Sequence, residues 1–309
     1  DQILAEIMIS DAGLDMKSGD RATPGITNTS DEVETAFSAA QTTLYRSTVA
    51  RAIYQSQDRS DILYAVKELN RIQCNPTTRD VEGVRRLARY LVGNPRLVQK
   101  YEYQYYQSQA QAWVDTDFAG CDKSRKSTSG GTAAIGMHPI KSWSTTQSVI
   151  ALSSGEAEYY GLVKGGSVII GIQSMAADMG VSLSAIVLKT NASAAKGVAS
   201  RRGLGTVRHL AVSQLWLQGQ VASGLMTVEK VKGTENVVDA LTNHVERYKL
   251  VRHTECMSAE IRTGRHALMP GVSADMCSID MSLSATGSSE VSRPTRFPLS
   301  KSGETMAAS

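Results

Sequence analysis

Ala112-Trp113-Val114-Asp115-Thr116-Asp117-Phe118-Ala119-Gly120 is the stretch on which the fold of this 309-residue chain turns. Residues 112–117 predict a strand that ends in two carboxylates, and positions 115 and 117 of a strand point to the same side. C-terminal to it, 131–137 and 140–146 predict two more strands, broken at His138-Pro139. Ser153 and Ser154 are capping residues that open a long helix to about Gly180, weakened by several glycines. Residues 185–190 predict a fourth strand, 192–200 and 207–222 helices, 226–231 a fifth strand and 236–248 a last helix. The order β-β-β-α-β-α-α-β-α is that of an α/β domain over residues 108–250.

N-terminal to that block the apolar spacing is helical. Ile62, Ala65, Val66, Leu69 and Ile72 share one face at the 3.6 period, and Asn75-Pro76 ends that helix. A second runs through Val84, Leu87, Ala88 and Leu91 to Gly93, with Arg85, Arg86 and Arg89 on or beside the opposite face, which reads either as solvated or as a binding face. Residues 41–107 are therefore expected to be a small helical segment. Residues 1–40, acidic and punctuated by Thr23-Pro24-Gly25, are expected to be a linker, and 251–309, rich in Ser, Met and Thr, a disordered tail.

The formal net charge of +3 hides an asymmetry: −6 over residues 1–40, +9 over 41–250 and zero over 251–309. A basic centre suits a polyanionic partner, or an ordinary solvated surface. Four cysteines, Cys74, Cys121, Cys256 and Cys277, lie far apart with no metal-ligand spacing, as in a reduced intracellular protein. There is no signal-peptide pattern, and the longest aliphatic run, Val168 to Ile172, is too short to span a bilayer. The first residue, Asp1, is not methionine, which suggests a piece of a longer protein.

Acids stand at the ends of the expected elements: Asp115 and Asp117, Glu156 and Glu158, and Asp239. Glu156 and Glu158 lie about 200° apart on a helix, so only one faces the sheet. Carboxylates gathered from separate elements repel one another unless a divalent ion neutralises them, and an all-oxygen site suits Mg²⁺.

Several motifs carry a family resemblance. Residues 114–120 with Arg125-Lys126-Ser127-Thr128-Ser129-Gly130, then Ala151-Leu152-Ser153-Ser154-Gly155-Glu156-Ala157-Glu158-Tyr159, Arg208-His209 and Val238-Asp239-Ala240-Leu241-Thr242 follow one another in order. They resemble the DADWAG…RRSTSG, ALSSTEAEY, KH and ADxLT motifs of copia-type ribonuclease H domains. Upstream, Tyr45-Arg46-Ser47, Arg59-Ser60-Asp61-Ile62, Asn75-Pro76-Thr77 and Arg89-Tyr90-Leu91 resemble the segment that joins polymerase to ribonuclease H in the same polyproteins. The match covers roughly residues 44–243, the C-terminal part of a copia-type Pol polyprotein, and makes residues 1–40 the end of the polymerase region. No YxDD-type polymerase motif occurs.

The resemblance implies a ribonuclease H-like fold, a five-stranded mixed sheet flanked by helices. It also implies hydrolysis of the RNA strand of an RNA–DNA hybrid with two Mg²⁺ ions, Mn²⁺ being an alternative. Asp115 would bridge the ions, with Asp117 the second choice. Glu158 would be the helix acid, leaving Glu156 a neighbouring surface acid, and Asp239 would hold the second ion. His209 would assist product release, unless it is simply a surface histidine. Lys196, Arg201, Arg202 and Arg208 would meet nucleic acid. The implied partners are the hybrid and the remainder of a Pol polyprotein, its polymerase domain included. The implied setting is a cytoplasmic particle or the nucleus, with no membrane.

The third acidic position holds Asn191. Asparagine keeps the shape and one carbonyl oxygen but loses the charge. One unit-charge pair at about 4 Å and an effective dielectric near 20 is worth roughly 4 kcal/mol, so even a fraction of it means orders of magnitude in rate. A weak or inactive nuclease is expected. Ser60 for proline, Asp80-Val81 for His-Trp, Thr145-Thr146 for Lys-Lys and Asn243 for lysine point toward decay. A non-catalytic nucleic-acid-binding module and a degenerate transposon fragment are thus the competing readings.

Overall fold

A computed structural model describes residues 2–27, 35–121, 123–205, 210 and 212–268. Its centre is a five-stranded sheet of β2 (Gln109–Asp117), β3 (Thr128–Ile135), β4 (His138–Thr146), β5 (Ala185–Thr190) and β6 (Met226–Lys230), in the order β4-β3-β2-β5-β6. β2, β3 and β4 are mutually antiparallel, and β5 and β6 run parallel to β2. Crossover helices are required for the parallel half, and α5 (Ser154–Asp178), α6 (Ser193–Ala199) and α7 (Trp216–Ala222) supply them. This is the α/β, ribonuclease H-like architecture that the motif order implied.

Alternation along β2 decides which side chain meets what. Ala110, Ala112 and Val114 are fully buried in the core that α5 covers with Tyr159, Leu162 and Ile169, so Trp113 and Asp115 face the other way. Ser153 caps α5 by accepting from the Glu156 amide at 3.2 Å. The glycines counted as a weakness of this helix let it lie close to the sheet. A Cβ on Gly165 would stand 2.7 Å from Val114 Cγ2, and one on Gly161 would stand 2.6 Å from Thr116 Oγ1.

A second core joins α1 (Gln2–Asp11), α2 (Ala39–Gln55), α3 (Leu63–Arg71) and α4 (Thr78–Gly93) through Met8, Tyr45, Val49, Ile62, Val66, Leu87, Tyr90 and Leu91. Ala240 and Leu250 belong to the same cluster, so the helical lobe packs directly on the C-terminal end of the sheet domain. Within it Arg59 and Asp61 form a buried bidentate pair at 2.9 and 2.7 Å, and Tyr90 Oη donates to Asp61 at 2.8 Å. His253 on α8 (Arg247–Cys256) is buried; burial holds it below the usual histidine range and keeps it neutral. Its Nδ1 donates to the Val237 carbonyl at 2.7 Å, and Ser60 Oγ donates to its Nε2 at 3.1 Å.

Several expected boundaries move. Residues 2–11 are a helix, because Ala5, Met8 and Ile9 have an apolar surface to join that an acidic composition does not reveal. His138-Pro139 lies inside β4, an edge strand where the missing proline N–H is tolerated, and the turn is Gly136-Met137. The last helix is displaced: 236–248 contains a 3₁₀ turn at Asp239–Leu241, and α8 begins at Arg247. Part of the stretch expected to be a disordered tail is folded, since α8 continues past residue 251 and β7 (Ala259–Arg262) pairs antiparallel with β1 (Arg96–Gln99); residues 269–309 lie outside the described residues. Two of the departures read as decay have structural partners: Ser60 holds His253, and Asp80 accepts from the Thr77 amide at 2.8 Å to start α4.

Replacing Gly165 by leucine should push α5 off β2 and cost about 1–3 kcal/mol, the range of overpacked cores. Thermal melting followed by circular dichroism reads this as a lowered Tm; an unchanged Tm would refute the close contact.

Candidate functional site

Four chain segments meet at the C-terminal end of β2. Asp115, 8 % exposed, is held there by three donors. Thr242 Oγ1 donates to its Oδ2 at 2.6 Å, Asn236 Nδ2 to its Oδ1 at 3.3 Å, and Asn191 Nδ2 to the same oxygen at 3.4 Å. Asn191 arrives because β5 ends at Thr190 beside β2; Thr242 arrives because the 3₁₀ turn before it packs through Val238 and Leu241 on Leu63 and Trp113. Burial raises the Asp115 carboxyl against the hydrogen bond from Thr242, and the charge of Asp239 raises it further.

Glu158, in the first turns of α5, comes to the same place. Burial first, then the charge of Asp115, pushes it up to about 8, against a hydrogen bond with Thr116. Its Oε2 is buried without a partner. Glu156 is not the surface acid expected of it: it is 4 % exposed, accepting from the Leu152 amide at 2.8 Å and from Tyr160 Oη at 2.7 Å. It closes the start of the helix.

The chain's own amines attend the outer acids. Lys249 Nζ donates to Asp239 Oδ2 at 2.9 Å. Asp117 acts electrostatically on Tyr64 and on the nearly buried Lys67, whose Nζ also reaches Glu68 and, at 2.7 Å, Thr128 Oγ1. Sequence reasoning missed Lys67 and Lys249, which carry no motif, and missed Asn236. Thr242 stood inside the ADxLT-like motif and could have been found there.

Of the expected nucleic-acid contacts, Lys196 and Arg202 are exposed. Arg202 borders a shallow cleft with Gly203, Leu215, Gln218 and Gly219. Arg201 turns back to donate to the Leu204 carbonyl at 2.6 Å. Arg208 and His209 lie outside the described residues.

This arrangement does not fit a two-ion site. Among the described residues no group of three or more His, Cys, Asp or Glu could hold a metal. Asp115 has both oxygens engaged, Asn191 presents an N–H to it where a ligand oxygen would be needed, and Asp239 is paired to Lys249.

No family model matches the chain. It is 29% identical over 210 residues to the retrovirus-related Pol polyprotein from transposon RE1 of Arabidopsis thaliana, covering 66% of this chain and 14% of that protein. It is 28% identical over 233 residues to that of transposon RE2 of the same plant, covering 73% and 16%. Both of these relatives are retrotransposon Pol polyproteins. A third, from transposon TNT 1-94 of Nicotiana tabacum, is 27% identical over 218 residues and covers 66% and 15%. The chain thus spans about one sixth or less of the length of the Pol polyproteins it matches. Among solved structures it is similar to RNase H1 of Halobacterium salinarum, at 17% identity and TM-score 0.28, covering 43% of this chain and 93% of that one. It is also similar to LC11-RNase H1 in complex with an RNA/DNA hybrid, at 12% identity and TM-score 0.32, covering 46% and 99%. No helix among the described residues is long and apolar enough to cross a membrane.

The buried Glu158 makes stability depend on pH. Below the ordinary glutamate value of 4.5 both the folded and the unfolded chain hold the proton. Between 4.5 and about 8 the unfolded chain loses it first, so stability falls as pH rises and the loss levels off above about 8. Each pKa unit corresponds to about 1.4 kcal/mol. Glu158→Gln should therefore match the parent in Tm near pH 4 and exceed it at pH 8.5; equal Tm values at both pH values would refute the buried carboxyl.

Proposed function

We propose that residues 108–250 are the ribonuclease H-like domain of a copia-type Pol polyprotein, with residues 41–107 as its connection segment, and that the domain binds RNA–DNA hybrids but hydrolyses their RNA strand weakly or not at all. The observation that carries this is the Asn191 amide donating to Asp115 where a third carboxylate would stand. Asp115, Glu158 and Asp239 are the acids assigned to the reaction, Lys196, Arg202 and Arg208 the cations assigned to the phosphate backbone, and His209 the group assigned to product release.

Divalent ions in such a site supply an activated water and charge stabilisation of the leaving oxygen. The groups in this chain supply less. Glu158, raised by burial and by the charge of Asp115, would have to give up its proton to hold a cation, and the exposed Lys249–Asp239 pair would have to open before Asp239 could accept anything else. Binding of the hybrid rests instead on the basic centre of the chain, whose attraction to phosphate is salt-dependent and needs no metal.

The test is Mg²⁺-dependent cleavage of an end-labelled RNA–DNA hybrid by the parent and by Asn191→Asp. The parent is expected to be at least about tenfold slower, the difference that only 1.4 kcal/mol of transition-state stabilisation makes. Parent turnover equal to that of the variant would sink the assignment of Asn191 as the impairing residue. Salt-dependent hybrid binding with no cleavage by either protein would favour the purely non-catalytic module.

A further inference from the structure

Between β1 and β2 the chain reads Tyr101-Glu102-Tyr103-Gln104-Tyr105-Tyr106, four tyrosines in six residues with no Leu, Ile, Val or Met among them. The segment belongs to neither sheet, yet it is pinned along its length. Gln104 Nε2 donates to the Ile135 carbonyl at 2.9 Å and to His138 Nδ1 at 3.0 Å, and its Oε1 accepts from the Met137 amide at 2.9 Å. His138 Nε2 donates to the Glu102 carbonyl at 2.7 Å. The two ends are fixed by phenolic groups: Tyr101 Oη donates to the Pro139 carbonyl at 3.5 Å, and Tyr106 Oη donates to the Ser182 carbonyl. The backbone is thus fastened to the β3–β4 turn while the rings stand outside it.

The middle rings are the most exposed, Tyr103 at 86 % and Tyr105 at 80 %, with their centroids 5.8 Å apart and their planes at 71°. Tyr101, edge-on to His138 at 5.3 Å, and Tyr106 are exposed as well, and the exposed Met137 and Ile140 border them. So much aromatic surface held in water on a fixed backbone marks a contact surface. Rings exposed to this degree offer their faces, and the ligand that fits is flat. Every nucleobase has such a face, so stacking on tyrosine tolerates any base. The charges agree with a polyanionic chain. Lys100, which also meets Glu260, precedes the first ring, the exposed Lys141 lies two residues beyond Pro139, and Glu102 is the one carboxylate between residues 100 and 111. Pinning orders the rings before a ligand arrives, which lowers the entropic cost of binding.

We propose that Tyr103 and Tyr105, flanked by Tyr101 and Tyr106, form a stacking strip for unpaired bases of a single-stranded nucleic acid. The strip leads into the start of β2 and Asp115 stands near its end, roughly 20 Å further along at 3.3 Å per residue. It is therefore separate from the carboxylate site, and it takes a strand that is not base-paired. The preceding proposal concerns the duplex; this one shares with it only the premise that the chain binds nucleic acid.

The experiment uses the full chain and a fluorescein-labelled oligodeoxyadenylate of about 20 nucleotides, longer than the usual single-strand site, with binding followed by anisotropy at fixed salt. Tyr103→Ala and Tyr105→Ala are each expected to weaken binding roughly fivefold or more, the effect of one lost base–ring stack. Tyr103→Phe keeps the ring and is expected to stay within about twofold of the parent. Tyr54→Ala, which removes another exposed ring from α2, is expected to bind as the parent does. Tyr103 and Tyr105 stand in solvent, so their variants keep the fold, and melting curves check it. Parent affinity in both alanine variants overturns the strip and leaves the preceding proposal standing. A loss in Tyr103→Phe equal to that in Tyr103→Ala overturns stacking, and an equal loss in Tyr54→Ala overturns the location. If sedimentation shows that the parent self-associates and that Tyr103→Ala abolishes this with oligonucleotide affinity unchanged, the surface joins two copies and the strip is overturned. A parent that does not bind the oligonucleotide overturns it as well; an RNA–DNA hybrid measured in parallel shows whether the preceding proposal falls with it.

Discussion

A buried carboxylate at the end of a central strand has to be satisfied, and in this protein the means of satisfying Asp115 organise everything around it. Its partners are Thr242, Asn236 and Asn191, from two segments more than 70 residues away in the chain. The Asn191 bond needs β5 parallel to β2, and the other two need the 236–242 segment pressed against the sheet end. The 236–242 segment depends on the helical lobe, because Leu63 packs under Val238 and Leu241 from one side while His253, itself held by Ser60, donates to the Val237 carbonyl from the other. Leaving a carboxylate of this kind short of donors costs about 1–3 kcal/mol or more, enough to couple the two lobes through one side chain.

That coupling changes what the departures from the family pattern mean. Ser60 in place of proline provides a hydroxyl to a histidine that could not be buried neutral without partners for both ring nitrogens. Asp80 provides the reciprocal cap of α4. These residues are integrated into the fold. Asn191 is integrated as well, but with an opposite consequence for chemistry. An amide donor removes repulsion from Asp115 and stabilises the folded chain, whereas a carboxylate there would call for a cation.

The electrostatics follow the same logic. Lys67 and Lys249 stand by the outer acids, Asn191 by the inner one, and Glu158 is left with a raised pKa and an oxygen without a partner. Resemblance to the Pol polyproteins and the arrangement of the acids are thus separable properties: the first lies in the order of motifs, the second in which atoms face one another at the end of β2.

The ordered motifs and the alternation of residues 112–117 were enough to place the chain among ribonuclease H-like folds and to mark Asp115, Glu158, Asn191 and Asp239, since hydrophobic periodicity and strand-end acids are local properties. The sequence could not show that Asn236 and Thr242 donate to Asp115, that Glu156 turns into its own helix start, that Lys249 pairs with Asp239, or that Lys67 lies within electrostatic range of Asp117. Nor could it show that residues 2–11 and 247–262 belong to the folded body. Each of these depends on which surfaces meet across long stretches of chain, and a short helix such as Gln2–Asp11 takes its stability from the face it is packed against rather than from its own residues.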